Sequence, residues 1–256
     1  MPGYESHQAA TLARGLKLLQ CFAPGESRLG NGELAARTGL DKATVSRLTY
    51  TLVELGYLRR DAALRKYRLG PAVLMMAYPL IASMRIRHVA RPLMKELATS
   101  IHGIVGLGIR DRADIVYVEA AYPPHVPPPA IDRGVTVPVV ASAIGRAWLA
   151  RASQVDRGQA SNQARVRAPA TYPENAPRLP RAYRELDARG YCVSRGYRSP
   201  NRQAVAVPLS STLQGELFVF NCASAGQGAG TELPHSTMGP RLVEMVGKVE
   251  AAMGIG

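Results

Sequence analysis

Glu33-Leu34-Ala35-Ala36-Arg37-Thr38-Gly39-Leu40-Asp41-Lys42-Ala43-Thr44-Val45-Ser46-Arg47-Leu48 is the stretch that decides the fold of the N-terminal third. Ala35, Gly39 and Val45 have the spacing of a helix-turn-helix. A small residue stands where two helices cross, glycine takes the positive φ of a tight turn, and a branched apolar residue pins the second helix on the first. Leu34, Leu40 and Leu48 add the apolar contacts around them. Upstream, Leu12, Leu16 and Leu19, with Ala13 and Cys21 beside them, predict a helix over residues 11–22 that Pro24-Gly25 ends. The second helix is expected to start with Asn31 as N-cap and Glu33 in its first turn. The third is expected over residues 41–55, burying Val45, Leu48, Leu52 and Leu55, with Gly56 as its left-handed terminator. Downstream, Tyr57-Leu58-Arg59-Arg60 and Lys66-Tyr67-Arg68-Leu69 alternate as two short strands around a turn at residues 61–65. Three helices and a basic hairpin make a winged helix-turn-helix.

Charge agrees with that reading. The 256 residues, enough for two domains, hold 32 Lys+Arg against 19 Asp+Glu, a net of +13 that calls for a polyanionic partner. Residues 1–85 carry a net of +6 and residues 86–256 a net of +7, so the N-terminal third has nearly twice the charge density. In a winged helix-turn-helix the third helix enters a major groove of double-stranded DNA and the wing follows the adjacent backbone. The outward face of the third helix carries Lys42, Thr44, Ser46, Arg47, Tyr50 and Thr51. Arg47 suits a guanine edge, and Lys42, Thr44 and Ser46 suit phosphates. Arg14, Arg59, Arg65 and Lys66 complete the candidate DNA contacts.

Other classes fit poorly. Residues 70–84 are 15 uncharged residues with Pro71 and Pro79 among them, short of the about 20 apolar residues that span a bilayer. The first seven residues have neither a basic nor an apolar signal region, and Cys21, Cys192 and Cys222 are too few and too scattered for a disulfide framework. A cytoplasmic protein is expected, with no membrane partner. The five histidines show no paired spacing, so no metal and no cofactor are expected. No Gly-x-Ser-x-Gly, Ser-x-x-Lys, His-Glu-x-x-His or Walker pattern occurs, so no catalytic residue is assigned. An enzyme with a winged-helix appendage and a sequence-neutral architectural DNA binder are the alternatives.

The run from Leu12 to Leu19, the stretch quoted first, and Leu52-Val53-Glu54-Leu55-Gly56-Tyr57-Leu58 followed by Lys66-Tyr67-Arg68-Leu69-Gly70 resemble the IclR family of bacterial transcriptional regulators. At the wing tip Ala62-Ala63-Leu64 replaces the family's glycine-bearing turn. The resemblance implies an α+β protein in three parts. These are a DNA-binding domain over residues 1–70, a linker helix over 71–86 that pairs protomers into a dimer or tetramer, and a GAF-like effector-binding domain over 87–256. The patterns themselves predict helices over 89–98, 180–189 and 242–253, and strands over 104–109, 115–119, 205–209 and 216–221. Pro123 to Pro129 and Gly226 to Gly230 read as loops.

Pro138 to Ala150 resembles the family's pocket-forming strand and helix start. There Ser142 is an N-cap that leaves the amides of Ala143, Ile144 and Gly145 facing an effector carboxylate. Residues 190–205 and Phe220-Asn221-Cys222-Ala223 resemble the other two pocket segments. Where members that bind small oxo-acids carry an acidic residue this chain has Ser194-Arg195, and where they carry two serines it has Asn221 and Ala223. These departures imply a larger, partly apolar acid, such as an aromatic carboxylate. Cys192 and Cys222 read as packing residues.

Overall fold

In the computed structural model, which describes residues 10–123, 131–195, 203–224 and 233–255, Gly39 has a φ of 71°, the left-handed turn that the helix-turn-helix spacing requires. It joins α2 (Asn31–Thr38) to α3 (Lys42–Glu54), and α1 (Ala10–Leu19) packs on both. The hairpin β1 (Leu58–Asp61) and β2 (Lys66–Leu69) and the helix α4 (Pro71–Ser83) complete a first compact unit, Met1–Ser83. Its core is Leu18, Leu29, Leu34, Val45, Leu52 and Leu58.

Three expectations change here, and the path of the wing tip becomes clear. α1 ends at Leu19, ahead of Pro24-Gly25, and buries Gly15 and Leu18 while Leu12 and Leu16 stay exposed. The N-cap of α2 is Gly30 instead of Asn31, because the Glu33 carboxylate reaches back to accept from the Gly30 amide at 2.6 Å. On α3 the inward row is Val45, Thr49 and Leu52, with Leu48 half-buried. Leu55 is exposed because it lies past the last helical turn, and Thr49 satisfies its buried hydroxyl on the Ser46 carbonyl at 3.1 Å. The wing closes without glycine: Arg65 takes a φ of 51°, and Asp61 Oδ1 accepts from the Leu64 amide at 3.2 Å.

α4 runs unbroken through Pro79 and has no buried residue; Leu74, Met75, Met76, Tyr78 and Leu80 are all exposed. No helix among the described residues is long and apolar enough to cross a membrane.

The second unit, Met84–Gly256, begins two residues before the expected end of the linker. It comprises α5 (Arg85–Ser100), β3 (Gly103–Asp111), β4 (Asp114–Ala121), β5 (Thr136–Pro138) and α6 (Ala143–Arg151). α7 (Gln154–Arg167), α8 (Tyr172–Asn175), a 3-10 turn (Ala176–Arg178), α9 (Leu179–Arg189) and β6 (Cys192–Arg195) follow. β7 (Gln203–Pro208), β8 (Val219–Ser224) and α10 (His235–Met253) complete it. The strands form one antiparallel sheet in the order β5-β4-β3-β8-β7-β6. Val105, Leu107, Val205, Phe220 and Cys222 face α5 and α10 through Met94, Leu242 and Val246. Ile115, Tyr117, Cys192, Ala206 and Val219 lie in the core of the opposite face with Ile144, Trp148 and Ala182 of α6 and α9.

α7 lies in a stretch for which the sequence patterns predict no element before residue 180. It buries only Ala160 and Ala164, so it has no apolar stripe to read; the legible signal was its cap, Ser153 accepting from the Asp156 amide at 3.1 Å. α10 starts at His235, seven residues ahead of its predicted start. The proline-rich segment beyond Pro123 and the glycine-rich segment Gly226 to Gly230 lie outside the described residues.

One buried ion network ties β4 to its surroundings. Glu119, 1% exposed, accepts from Arg87 Nη2 at 2.9 Å and from Arg133 Nη2 at 2.7 Å. Burial alone would raise the Glu119 carboxyl pKa, but Arg133 and then Arg87 override it and hold it below the ordinary value. Glu119→Ala would remove the buried carboxylate that two guanidinium groups share and is expected to cost about 3 kcal/mol in urea unfolding at neutral pH. A depressed carboxyl stabilises fully above the free-carboxyl pKa of about 4.3, and that stabilisation is lost as pH falls through the native value. The deficit of the variant should therefore shrink in acid; a deficit independent of pH would show that the pair contributes nothing.

Candidate nucleic-acid interface and effector site

α3 displays Lys42, Ser46, Arg47, Tyr50 and Thr51 to solvent while Val45, Thr49 and Leu52 hold it on the core. Its N-cap is Asp41, whose carboxylate accepts from the Thr44 hydroxyl at 2.7 Å and the Thr44 amide at 2.8 Å. Those bonds, the hydroxyl first, hold the Asp41 carboxyl below its usual range. The hydroxyl of Thr44, expected on a phosphate, thus completes a cap. The Thr51 hydroxyl donates to the Arg47 carbonyl at 3.2 Å, so it too serves its own helix first. Arg47, Lys42 and Ser46 have no side-chain partner among the described residues and remain available.

On the wing, β1 and β2 pair Arg59 directly opposite Arg68, both exposed. Like charges in register across a hairpin destabilise it. They make a cationic face for which an anion is the natural complement. Arg65 stands exposed at the tip, whereas Lys66 is engaged by Glu33 Oε1 at 3.0 Å. Arg14 is exposed on α1.

The second candidate site lies under the start of α6. Ser142 caps the helix as predicted, accepting from the Gly145 amide at 3.1 Å and donating to the Pro138 carbonyl at 2.8 Å. The Gly145 amide is therefore spent. Only those of Ala143 and Ile144 lack an acceptor among the described residues, and both residues are buried.

The sheet beneath brings distant residues together in two cross-strand rows. Ile104, Ala223, Ala204 and Ser194 form one row; Gly106, Asn221, Ala206 and Cys192 form the next. Ser194 is buried and donates weakly to the Ala141 carbonyl at 3.4 Å, which links β6 to the residue before the cap. Asn221 is buried with no hydrogen-bond partner for its Oδ1 among the described residues. Ser194, Asn221 and Ala223 thus lie on the sheet face that α6 covers, and the Ser194 bond ties that face to the start of the helix.

Arg195 does not join them. It follows Ser194 on a strand, so its side chain takes the opposite side. At the outer edge of β6 it lines a cleft with Arg146, Arg178 and Arg181, three residues that the sequence reading left out. Arg146 is 4% exposed, a rarity for arginine, and follows the helix start as an ordinary Gly-Arg-Ala step with no signal of burial. Burial raises the Cys192 thiol pKa to about 12 and that of Cys222 further, as befits packing residues.

The family model of the IclR helix-turn-helix domain matches residues 11–62, and that of the bacterial transcriptional regulator IclR C-terminal domain matches residues 79–213. The HTH-type transcriptional regulator TsaQ1/TsaQ2 of Comamonas testosteroni is 36% identical over 245 residues, 95% of this chain and 88% of that protein. The p-hydroxybenzoate hydroxylase transcriptional activator of Acinetobacter baylyi is 27% identical over 225 residues, 84% of this chain and 81% of that protein. The crystal structure of an IclR family transcriptional regulator from Brucella abortus matches with a TM-score of 0.82 at 39% identity, over 98% of this chain and 96% of that one. Both halves of the fold, the winged helix-turn-helix and the helix-covered sheet, are thus those of regulators and not of enzymes. The chain belongs to the IclR family of bacterial transcriptional regulators.

Proposed function

We propose that this chain binds a DNA operator in the cytoplasm through α3 and the β1–β2 wing, acts as a homodimer or tetramer, and responds to an aromatic carboxylate held under α6. The observation that supports the DNA contact best is the unpaired, exposed Arg47 on a capped helix beside a hairpin that sets Arg59 against Arg68. Arg47 reads a base edge, and Arg59 and Arg65 hold phosphates. In competition binding on full-length protein, Arg47→Ala is expected to lose about 1–3 kcal/mol of discrimination between operator and random DNA. Arg59→Ala is expected to weaken all sequences alike and lower the salt slope by about one. If Arg47→Ala keeps the preference intact, α3 is not the reading helix.

The assembly reading rests on α4. A helix of 13 residues that buries none of them, with Leu74 70% and Met75 73% exposed, needs a cover, and a second α4 offers the same apolar face. Replacing Leu74 and Met75 together by glutamate is expected to leave a monomer in sedimentation velocity. An unchanged mass would move the interface elsewhere.

For the effector, the free amides of Ala143 and Ile144 at a helix N-terminus suit a carboxylate. Ala204, Ala206 and Ala223 present only small side chains on the sheet face that α6 covers. The unpartnered oxygen of Asn221 suits a ligand hydroxyl, the group that p-hydroxybenzoate would bring. In a thermal-shift panel, 4-hydroxybenzoate and benzoate are expected to raise Tm while glyoxylate and pyruvate do not. Stabilisation by the small oxo-acids alone would sink this part of the reading.

A further inference from the structure

Arg146 is a buried cation with no counter-ion among the described residues. Its Nε donates to the Val140 carbonyl at 3.0 Å and its Nη2 to Asn175 Oδ1 at 3.2 Å, both neutral oxygens. Among the described residues no carboxylate lies within ion-pair distance of it. Burial, then the nearby Arg178, lowers its pKa, so its charge is held against both desolvation and repulsion. A charge that deep normally survives only when it is paired.

The guanidinium opens on a cleft of about 310 Å³ at the outer edge of β6, lined by Arg146, Arg178, Arg181, Arg195, Ala182, Val193 and Glu185. Glu185 is the one carboxylate among its described lining residues, and it is already paired. It accepts from Arg181 Nε at 3.0 Å, from Arg189 Nη2 at 2.9 Å and from the Val193 amide at 3.1 Å. Arg146, Arg178 and Arg195 therefore converge with no acid to answer them among the described residues. Ala182 and Val193 add apolar wall that keeps charge interactions strong.

We infer that this cleft is a second anion site, separate from the effector site under α6, which takes a compact multivalent oxyanion: a phosphate ester or a small polycarboxylate. A single carboxylate leaves cations unanswered there, whereas three or more oxygens match the guanidinium forks. The site shares no side chain with Ser142, Ser194, Asn221 or Ala223. It touches the effector site mechanically, because Arg146 also holds Val140, two residues before the Ser142 cap. An anion that recruits Arg146 thereby biases the start of α6, and the coupling is reciprocal.

The test is isothermal titration of the full-length protein, free of DNA and at physiological ionic strength, with pyrophosphate, inorganic phosphate and citrate. At least one is expected to bind saturably with one site per chain. Tighter pyrophosphate assigns the site to phosphate esters, and tighter citrate to polycarboxylates. Arg178→Ala, an exposed position that folding tolerates, is expected to weaken binding by about tenfold or more, whereas Arg47→Ala leaves it unchanged. Absence of saturable binding by all three anions overturns the inference. So does binding that survives Arg178→Ala, or that Arg47→Ala removes.

Discussion

Gly145 lies against Val139 so closely that a Cβ there would stand 2.1 Å from the Val139 carbonyl oxygen. This contact seats the first turn of α6 on the segment that leads into it. The Ser142 cap, the free amides of Ala143 and Ile144, and the reach of Arg146 back to Val140 all follow from it. Any larger residue at Gly145 would push the first turn of α6 off Val139 and disturb both the Ser142 cap and the bond from Arg146 to Val140.

The two units solve different electrostatic problems. In the first, cations are spread on exposed surface, where solvent screens them until a polyanion arrives. Their partial internal pairing, Lys66 with Glu33 and Arg28 with Asp61, keeps the wing in shape without neutralising Arg59 and Arg68. In the second, Arg87 of α5 and Arg133 of the β4–β5 connection meet the buried Glu119, and Arg146 is buried with neutral oxygens among the described residues. Buried charge is costly, so its presence marks places where geometry is held for a purpose.

Much of the first unit was legible because its signals are local. Helix spacing, Gly39, the Asp41 cap and the alternating hairpin each act within a few residues. What misled was the burial face: Leu12 and Leu16 repeat at helical spacing just as core residues do, and periodicity does not say whether a face meets the core or stays open. In the second unit the strands and the Ser142 cap were legible for the same local reason. α7 was not, since a helix that buries two alanines has no apolar stripe.

The sequence by itself determined the winged helix-turn-helix, the strand-rich second unit, the family and the excess of positive charge. Those rest on spacing and composition, which the chain carries wherever it folds. Only the tertiary structure decided which of the charges work together. Arg146, Arg178, Arg181 and Arg195 are up to 49 residues apart in the chain and meet because α6, the turn before α9, α9 and the edge strand β6 converge. Ser194 and Arg195 are adjacent in sequence, yet Ser194 is buried against the Ala141 carbonyl while Arg195 lines the cleft at the sheet edge, because successive strand residues alternate in direction. Proximity across elements is a property of packing, and no local pattern encodes it.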